Sequence, residues 1–283
     1  MWPDNAKVAV GITIDFDAEE LWLHESGGKN VGKPGVLSQG TYGGRVAVPE
    51  LLKLLDKHQV RATFFVPGRV AEVWPDRVRD IVAAGHELAN HGYSHVSPTK
   101  LTREQEEREL VRGHEILSAF GAEITGYRAP SLELTVHTLE LLEKHGYNYS
   151  TNMMADVRPY WHEGTSVLEL PTSWPTNDSV HWWFDVETWD KKISTSEEVR
   201  SIWTEEYYGI KDLGGACIYT THPQIIGRPM RLRFFDQYLE FLKAQPDTWI
   251  ATLDEMTAHL VKTGYSVSSN HVEVARNLKI VEA

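Results

Sequence analysis

Cysteine is nearly absent from this sequence, since Cys217 is the only one among 283 residues. A single thiol excludes an intrachain disulfide and any zinc module built from several cysteines. Cys217 stands in the apolar run of residues 216–219, so we interpret it as a small buried side chain. The disulfide-stabilised and cysteine-rich zinc classes are therefore excluded.

Basic residues and long apolar runs are also scarce. The chain has 28 Lys and Arg against 40 Asp and Glu, a formal net charge of −12. Nucleic-acid binding needs clustered basic residues, and an anionic membrane surface attracts them. No stretch approaches the roughly 18 apolar residues of a membrane helix, and the first residues lack the features of a signal peptide. We therefore expect a cytoplasmic protein with neither nucleic-acid nor membrane partners.

Short β-branched runs alternate with longer segments of helical period. In the first part of the chain, the β-branched runs predict strands over residues 8–14 and 62–66, and the segments of helical period predict helices over 48–58, 70–84 and 102–120. The alternation continues as about seven or eight β–α units without a Pro/Ser-rich linker, which favours one parallel α/β domain. We predict a distorted TIM-like (β/α) barrel of about seven parallel strands rather than an open sheet. No Gly-x-Gly-x-x-Gly follows the first strand, which argues against nucleotide binding.

The predicted domain spans residues 1–283, and two of its segments break the β–α rhythm. Its core covers about 8–261, and residues 264–283 are expected to form an irregular tail that packs on a neighbouring subunit. Residues 24–46 hold seven of the 21 glycines and are predicted to be a long loop, either a lid over the site or an arm to a neighbour. Residues 160–190 hold five of the ten tryptophans: Trp161, Trp174, Trp182, Trp183 and Trp189.

Polar residues follow several of the predicted strands. In parallel α/β barrels the reactive side chains project from the carboxyl ends of the strands. The first strand ends in residues 15–19 with Asp15 and Asp17, and the third ends in residues 91–95. Later strands end in residues 128–130 and 222–223. We therefore expect positions far apart in sequence to meet at one rim of the barrel.

The pair His91 and His95 is the sharpest feature of this rim. A spacing of four residues places two imidazoles on one face of a helical turn, where they can bind one divalent metal ion. The pair is not the H-E-x-x-H of zinc proteases, because Gly92 stands where the catalytic glutamate would be. A base must come from elsewhere, and the pair Asp15 and Asp17 can supply both a ligand and a base.

Four motifs together resemble the polysaccharide deacetylase family. They are Thr-Ile-Asp-Phe-Asp at 13–17, Asn-His-Gly-Tyr-Ser-His at 90–95, Tyr-Arg-Ala-Pro at 127–130 and Thr-His-Pro at 221–223. Members of that family are metal-dependent N-deacetylases and related amidases on a distorted (β/α) barrel. The form of the first motif, residues 15–19, resembles the cytoplasmic peptidoglycan-deacetylase-like branch more than the secreted chitin deacetylases. The resemblance runs from about residue 8 to residue 261.

The resemblance implies a role for each motif residue. Asp17, His91 and His95 match the ligands of a divalent ion, with zinc expected, although cobalt, manganese and nickel suit the same donors. Asp15 matches the general base, Arg128 the residue that orients it, and His222 the general acid. Three protein ligands leave the ion an open position for water and substrate.

The sequence departs from the family pattern at two places. The fourth motif, a Trp-flanked aspartate near the acid histidine, has no clean counterpart, and Asp185 and Asp190 are the candidates. Ser131 follows Pro130 where an aromatic residue is more usual. We expect Pro130, Trp183 and Trp189 to contact substrate. The tryptophan cluster has two interpretations, a core or subunit interface and a flat wall that stacks on a ring.

Two enzymatic functions and one binding function stay open at this point. The first is N-deacetylation of an amino sugar or peptidoglycan-type fragment. The second is hydrolysis of a small cytoplasmic amide, such as a cyclic imide or ureide, which the predicted location favours. The third is a carbohydrate-binding barrel without catalysis, which the complete motif set disfavours. We expect a homo-oligomer, as in many relatives of this branch.

Overall fold

The computed structural model describes residues 1–23, 28–184 and 193–269. Within these residues one sheet contains the strands β1 Val8–Asp15, β2 Thr63–Val66, β3 Glu87–Asn90, β4 Gly126–Tyr127, β5 Tyr149–Ser150, β6 Tyr160–His162, β7 Leu168–Glu169, β8 Ala216–Thr221, β9 Thr248–Ile250 and β10 Ser268–Ser269. The helices are α1 Glu20–Leu23, α2 Pro34–Tyr42, α3 Val48–His58, α4 Gly68–Val73, α5 Pro75–Ala83, α6 Arg103–Ser118, α7 Thr138–Lys144, α8 Asp178–Trp182, α9 Ser196–Leu213, α10 Pro223–Ile226, α11 Pro229–Lys243 and α12 Leu253–Lys262.

The sheet curls into a barrel with the strand order β10-β6-β7-β5-β4-β3-β2-β1-β8, and β9 also pairs with β1. Its pairs are parallel except for β6 and β7. Beyond β7 the chain returns to β8, where Asn177 bridges Thr220 and the Thr176 hydroxyl donates to the Ile218 carbonyl at 2.7 Å. The α/β barrel predicted from the sequence is confirmed, although the sheet is not wholly parallel.

Alternation along β1 separates two layers of core. Val8, Val10, Ile12 and Ile14 face outward and pack under the surrounding helices, whereas Ala9 faces the barrel interior. Successive strand residues point to opposite faces, so a strand buried on both faces is apolar almost throughout. Helix α12 contributes Leu253, Met256 and Leu260 to the interior cluster and closes the amino-terminal end of the barrel. The carboxyl ends of the strands are left for the polar residues.

The glycine-rich segment is helical over most of its described length, so the prediction of a long loop is wrong. Helix α2 is followed by a π-helix at Gly43–Ala47 that leads directly into α3. At Gly40 a Cβ atom would lie 2.5 Å from the carbonyl oxygen of Ala18. Only glycine permits so close a backbone approach. Gly40 therefore lets the segment pack closely against the loop after β1.

Two smaller predictions also differ from the structure. The single helix expected over residues 70–84 is divided into α4 and α5, because Pro75 cannot continue a helix from Trp74. The tail beginning at residue 264 contributes β10 to this chain's own sheet, and its residues 270–283 lie outside the described part. Among the described residues, no helix has both the length and the apolar composition needed to cross a bilayer.

Candidate metal and catalytic centre

The sequence motifs converge at the carboxyl ends of the strands. Asp15 ends β1, His91 follows β3, Arg128 follows β4 and His222 follows β8. Asp15, His91, His95 and His222 line one cavity of about 760 Å³. This volume lies in the range of small-molecule sites and corresponds to roughly 25 water molecules. The rim that the sequence predicted is therefore present and opens into a substantial cavity.

Asp17, His91 and His95 form a buried cluster that suits a metal ion. Their potential ligand atoms all lie within 4.8 Å of one another. The Nε2 atoms of His91 and His95 lie 3.5 Å and 3.6 Å from Asp17 Oδ1. Donors bound at 2.0–2.1 Å to a tetrahedral ion lie about 3.4 Å apart, so these separations fit one. Within the described residues, neither oxygen of Asp17 accepts a hydrogen bond.

The protonation of the cluster also suits a cation. The Nδ1 atom of His91 lies 2.7 Å from the Arg128 carbonyl, which fixes the tautomer that turns a bare Nε2 towards Asp17. Burial lowers the pKa of His91 to about 4, so the imidazole is neutral and able to bind a metal. Burial raises the pKa of Asp17, the charge of His222 lowers it, and the charges of Asp15 and Asp178 raise it further. A cation would offset the cost of burying this carboxyl.

The two histidines lie on an irregular loop, so the helical turn expected from their spacing is wrong. Gly92 and His95 have φ angles of 72° and 55°, in the left-handed region. Glu109 on α6 holds the loop: one carboxylate oxygen accepts from the amides of Tyr93 and Ser94 at 3.2 and 2.7 Å and from the Ser94 hydroxyl at 2.8 Å. Strain of this kind persists where surrounding contacts fix it and is typical of functional sites.

Asp15 is held by a fully buried arginine. The Nη1 atom of Arg128 donates to Asp15 Oδ1 and to the Thr13 hydroxyl, both at 2.7 Å. Its Nε and Nη2 atoms donate to the carbonyl and hydroxyl of Thr151, and its guanidinium lies 4.3 Å above the Phe65 ring. A planar guanidinium with this many partners fixes the carboxylate at one angle. The other Asp15 oxygen, Oδ2, lies 4.0 Å from His222 Nε2.

His222 is paired with an aspartate that sequence reasoning missed. Asp178 Oδ1 lies 2.6 Å from His222 Nδ1, and Oδ2 accepts the His222 backbone N–H at 2.9 Å. Burial alone would lower the pKa of His222, but Asp178, Asp17 and Asp15 together raise it to about 9. Asp185 and Asp190, the expected candidates for this partner, lie outside the described residues. Asp178 follows Trp174 within the same Trp-rich segment, and that proximity was the available signal.

The tryptophans divide between the core and the cavity. Trp182 is buried, whereas Trp174 and Trp183 line the cavity. Trp183 stacks on Trp22, with ring centroids 5.2 Å apart and planes 18° apart. Trp161 donates from its indole to the Tyr265 carbonyl at 2.7 Å and packs against the interior core, and Trp189 lies outside the described residues. The core interpretation therefore holds for Trp182, and Trp174 and Trp183 stay the candidates for the stacking wall.

The remaining predicted contact, Pro130, begins a short 3-10 turn at Pro130–Leu132. The proline is buried, and the cavity wall beside it is formed by Ala129, Ser131 and Leu132. Ser131 and Leu132 have φ angles of 65° and 58°, which places a second strained segment at the site. The departure from the family pattern at Ser131 therefore falls on the cavity wall.

Comparisons with known proteins agree with these motifs. The polysaccharide deacetylase family model matches residues 39–150. A peptidoglycan deacetylase of Helicobacter pylori is 28% identical over 286 residues, covering 90% of this chain and 97% of that protein. A Mycobacterium smegmatis crystal structure classed as a polysaccharide deacetylase is 33% identical, with a TM-score of 0.91, over 100% of this chain and 97% of that one.

A more distant structure shares the fold. Puue allantoinase is 22% identical with a TM-score of 0.80, over 93% of each chain, and this likeness shows the fold alone. The full-length match at 33% identity is close enough to assign the family. The chain belongs to the polysaccharide deacetylase family of metal-dependent hydrolases, which cleave amide carbon–nitrogen bonds.

Proposed function

We propose that this protein removes the N-acyl group of an amino sugar or a peptidoglycan-type fragment. The observation that carries the proposal is the convergence of Asp17, His91 and His95 around a buried carboxylate whose oxygens accept no hydrogen bond from the described residues. Such a carboxylate is costly unless a cation joins it. The likeness to the peptidoglycan deacetylase of Helicobacter pylori supports the substrate class.

Asp17, His91 and His95 would hold the ion, and we propose zinc. When bound, a divalent ion supplies a Lewis acid and lowers the pKa of a coordinated water. The donor set of two imidazoles and one carboxylate fits this ion, as do the separations of 3.5 and 3.6 Å between the histidine and aspartate atoms. The fit thus rests on both the chemistry and the spacing of the donors.

The other residues of the centre would move protons. Asp15, oriented by Arg128 through Oδ1, takes a proton from water at its other oxygen, Oδ2, which faces the same space as His222 Nε2. His222 then gives a proton from Nε2 to the leaving amine, while Asp178 stabilises the charged imidazolium through Nδ1. Base and acid therefore face the same space, and each has its own orienting partner.

The cavity supports a sugar-sized substrate. A volume of about 760 Å³ greatly exceeds what a five-membered imide ring would fill. Trp183 and Trp174 offer flat apolar faces, on which the ring of a sugar can pack. We propose Trp183, Trp189 and the turn at Pro130 as substrate contacts. The cytoplasmic location and the homo-oligomeric assembly expected from the sequence stay predictions.

The test compares two substrate classes on zinc-loaded protein. We expect release of acetate from oligomers of N-acetylglucosamine or soluble peptidoglycan fragments, its loss with a chelator, and its return with zinc. Ring opening of a succinimide-type substrate without acetate release would instead support the small-amide function. Zinc binding with neither activity would favour the non-catalytic carbohydrate-binding barrel.

A matched variant separates catalysis from folding. Asp15→Asn keeps the size of the side chain and leaves Asp17, His91 and His95 unchanged. We expect it to bind one equivalent of zinc, as the wild type does, and to lose activity by a factor of at least ~1,000, as is usual for a general base. Retained activity in this variant would reject Asp15 as the base.

A further inference from the structure

The glycine-rich segment carries two lysines into the wall of the catalytic cavity. Lys29 and Lys33 are exposed side chains, and both line the cavity that also contains Asp15 and His222. Lys33 stands directly before α2, whose first turn adds Val36 to the same wall. The sequence left the role of this segment open between a lid and an arm to a neighbour. In this chain the segment forms part of the substrate space.

The two lysines stand out against the charge of the rest of the chain. The formal net charge is −12, and a field of that sign repels anions from the protein surface. Among the described residues that line the cavity, the charged side chains other than histidine are Asp15, Lys29 and Lys33. Asp15 is already paired with Arg128. Away from the catalytic centre, an acidic protein therefore presents positive charge to its substrate.

Lys33 is linked to the aromatic part of the wall. Its Nζ atom donates to Asn30 Oδ1 at 3.2 Å, and the buried Asn30 donates from Nδ2 to the Trp22 carbonyl at 3.1 Å. Trp22 stacks on Trp183, and both indoles line the cavity. One series of contacts therefore holds an ammonium group beside a flat apolar surface. Such a pair suits a ligand that combines a ring with an anionic substituent.

We propose that Lys29 and Lys33 form a subsite for a carboxylate of the substrate, so that the preferred amide is an amino sugar with a negative charge. The inference rests on the proposed function and narrows its substrate class. The carboxylate belongs either to an acid joined to the sugar ring by an ether bond or to the end of an attached peptide. Both present the same oxygens to an ammonium group. The lysines act on binding, whereas Asp15 and His222 move the protons.

The test compares substrates that differ only in charge. N-acetylmuramic acid carries an ether-linked carboxylate, and its methyl ester is the neutral counterpart; N-acetylmuramyl-alanine and its methyl ester place the same difference at a peptide end. We expect zinc-loaded wild type to release acetate with a kcat/KM about 10-fold higher from the acid than from the ester in at least one pair, and the pair identifies the source of the carboxylate. The preference should shrink from about 0.01 M to 1 M salt, because screening shortens from roughly 30 Å to 3 Å.

Lys29→Gln and Lys33→Gln each remove one charge and keep a polar side chain. Each variant should lower the ratio of kcat/KM for acid over ester roughly 3-fold, and the double variant should lower it roughly 10-fold. The loss should come from a higher KM for the acid, because binding to a remote charge is equal in the ground state and the transition state. A ratio in the double variant equal to that of the wild type would overturn the subsite.

Lys262→Gln is the matched control. Lys262 is exposed in the last turn of α12, the helix that closes the amino-terminal end of the barrel. Its replacement changes the net charge of the protein by the same amount as each test variant. The ratio of kcat/KM for acid over ester should stay at the wild-type value. An equal fall in the control and the test variants would assign the preference to the net charge and reject a local subsite.

The outcomes separate this inference from the proposed function. Acetate release at equal kcat/KM from the acid and the ester of both pairs would reject the subsite and leave the proposed function intact. No acetate release from any of the four compounds would reject the proposed function, and calorimetry of their binding to the wild type then tests the subsite. Tighter binding of an acid than of its ester, weakened in Lys29→Gln, would support the subsite, and equal binding would reject it.

Discussion

Two buried carboxyl groups lie at opposite ends of the barrel and differ in the hydrogen bonds that they accept. At the closed end, Glu87 on β3 accepts from the Thr63 and Tyr149 hydroxyls at 2.6 and 2.5 Å and from the backbone amides of Leu253 and Asp254 at 3.0 and 3.2 Å. At the open end, Asp17 accepts no hydrogen bond from the described residues. Burial raises the pKa of both groups, that of Glu87 to about 8.

This difference separates a structural carboxyl from a functional one. Glu87 links β2, β3 and β5 to the amino terminus of α12, so every donor around it belongs to the fold. Asp17 instead faces the imidazoles of His91 and His95, and none of the described residues donates a hydrogen bond to its oxygens. Burial alone therefore does not mark a functional acid, whereas burial without satisfied oxygens does.

The largest expected effect is at the open end. Asp17→Ala should abolish zinc binding and lower kcat/KM at least ~1,000-fold, because the only carboxylate among the proposed ligands is lost. The metal-free variant should melt no lower than the metal-free wild type, since an unpaired buried carboxyl is removed. Trace-metal analysis, acetate release and calorimetry measure the three quantities. A full metal complement in this variant would refute the proposed ligand set.

The second effect is at the closed end and has the reverse pattern. Glu87→Leu leaves the hydroxyls of Thr63 and Tyr149 and the amide of Asp254 without the acceptor they have in Glu87. We expect the free energy of unfolding to fall by about 3 kcal/mol, measured by urea titration, with zinc affinity unchanged. Glu87→Gln, which retains one acceptor oxygen, should lose less. A Leu variant as stable as the wild type would show that this network contributes nothing.

The third effect concerns the partner of the proposed acid. Asp178→Asn removes the charge that does most to raise the pKa of His222 to about 9. A general acid works only while protonated, so activity should fall at a lower pH on the alkaline side than in the wild type, and kcat should drop roughly 100-fold. The pH–rate profile and zinc content are measured together. If the alkaline limb of the pH–rate profile does not shift while the zinc content is normal, Asp178 does not set the pKa of the general acid.

The motifs predicted which residues meet, but not the backbone that brings them together. Asp15, Asp17, His91 and Arg128 follow strands whose apolar patterns are clear, and parallel strands place their carboxyl ends at one rim. The loop between His91 and His95 depends instead on Glu109, which lies 14 residues beyond His95 on another element. Local spacing favoured a helical turn, and the tertiary contact overrode it.

Glycine content misled the prediction for a related reason. A glycine-rich stretch resembles a loop because glycine is unfavourable in isolated helices. In α2 the side chain is missing at Gly40 because the backbone after β1 passes against it, a contact between elements that composition does not reveal.

The smallest expected effect is on the pH dependence of stability and comes from the closed end, where His86 precedes Glu87. Its Nδ1 atom accepts the Ala62 backbone N–H at 3.2 Å, and burial followed by the charge of Arg61 lowers the pKa of His86 from 6.5 to about 4. The unfolded chain thus binds a proton that the folded one rejects, so stability falls as the pH decreases from about 6.5 to 4. Allowing for partial exposure, the loss is roughly 2 kcal/mol. His91 contributes a loss of the same sign, so in His86→Gln the difference in stability between pH 7 and pH 4.5, measured by urea titration, should shrink by roughly this amount. The control His137→Gln should keep the wild-type difference; an equal difference in both variants would show that His86 does not cause the acid sensitivity.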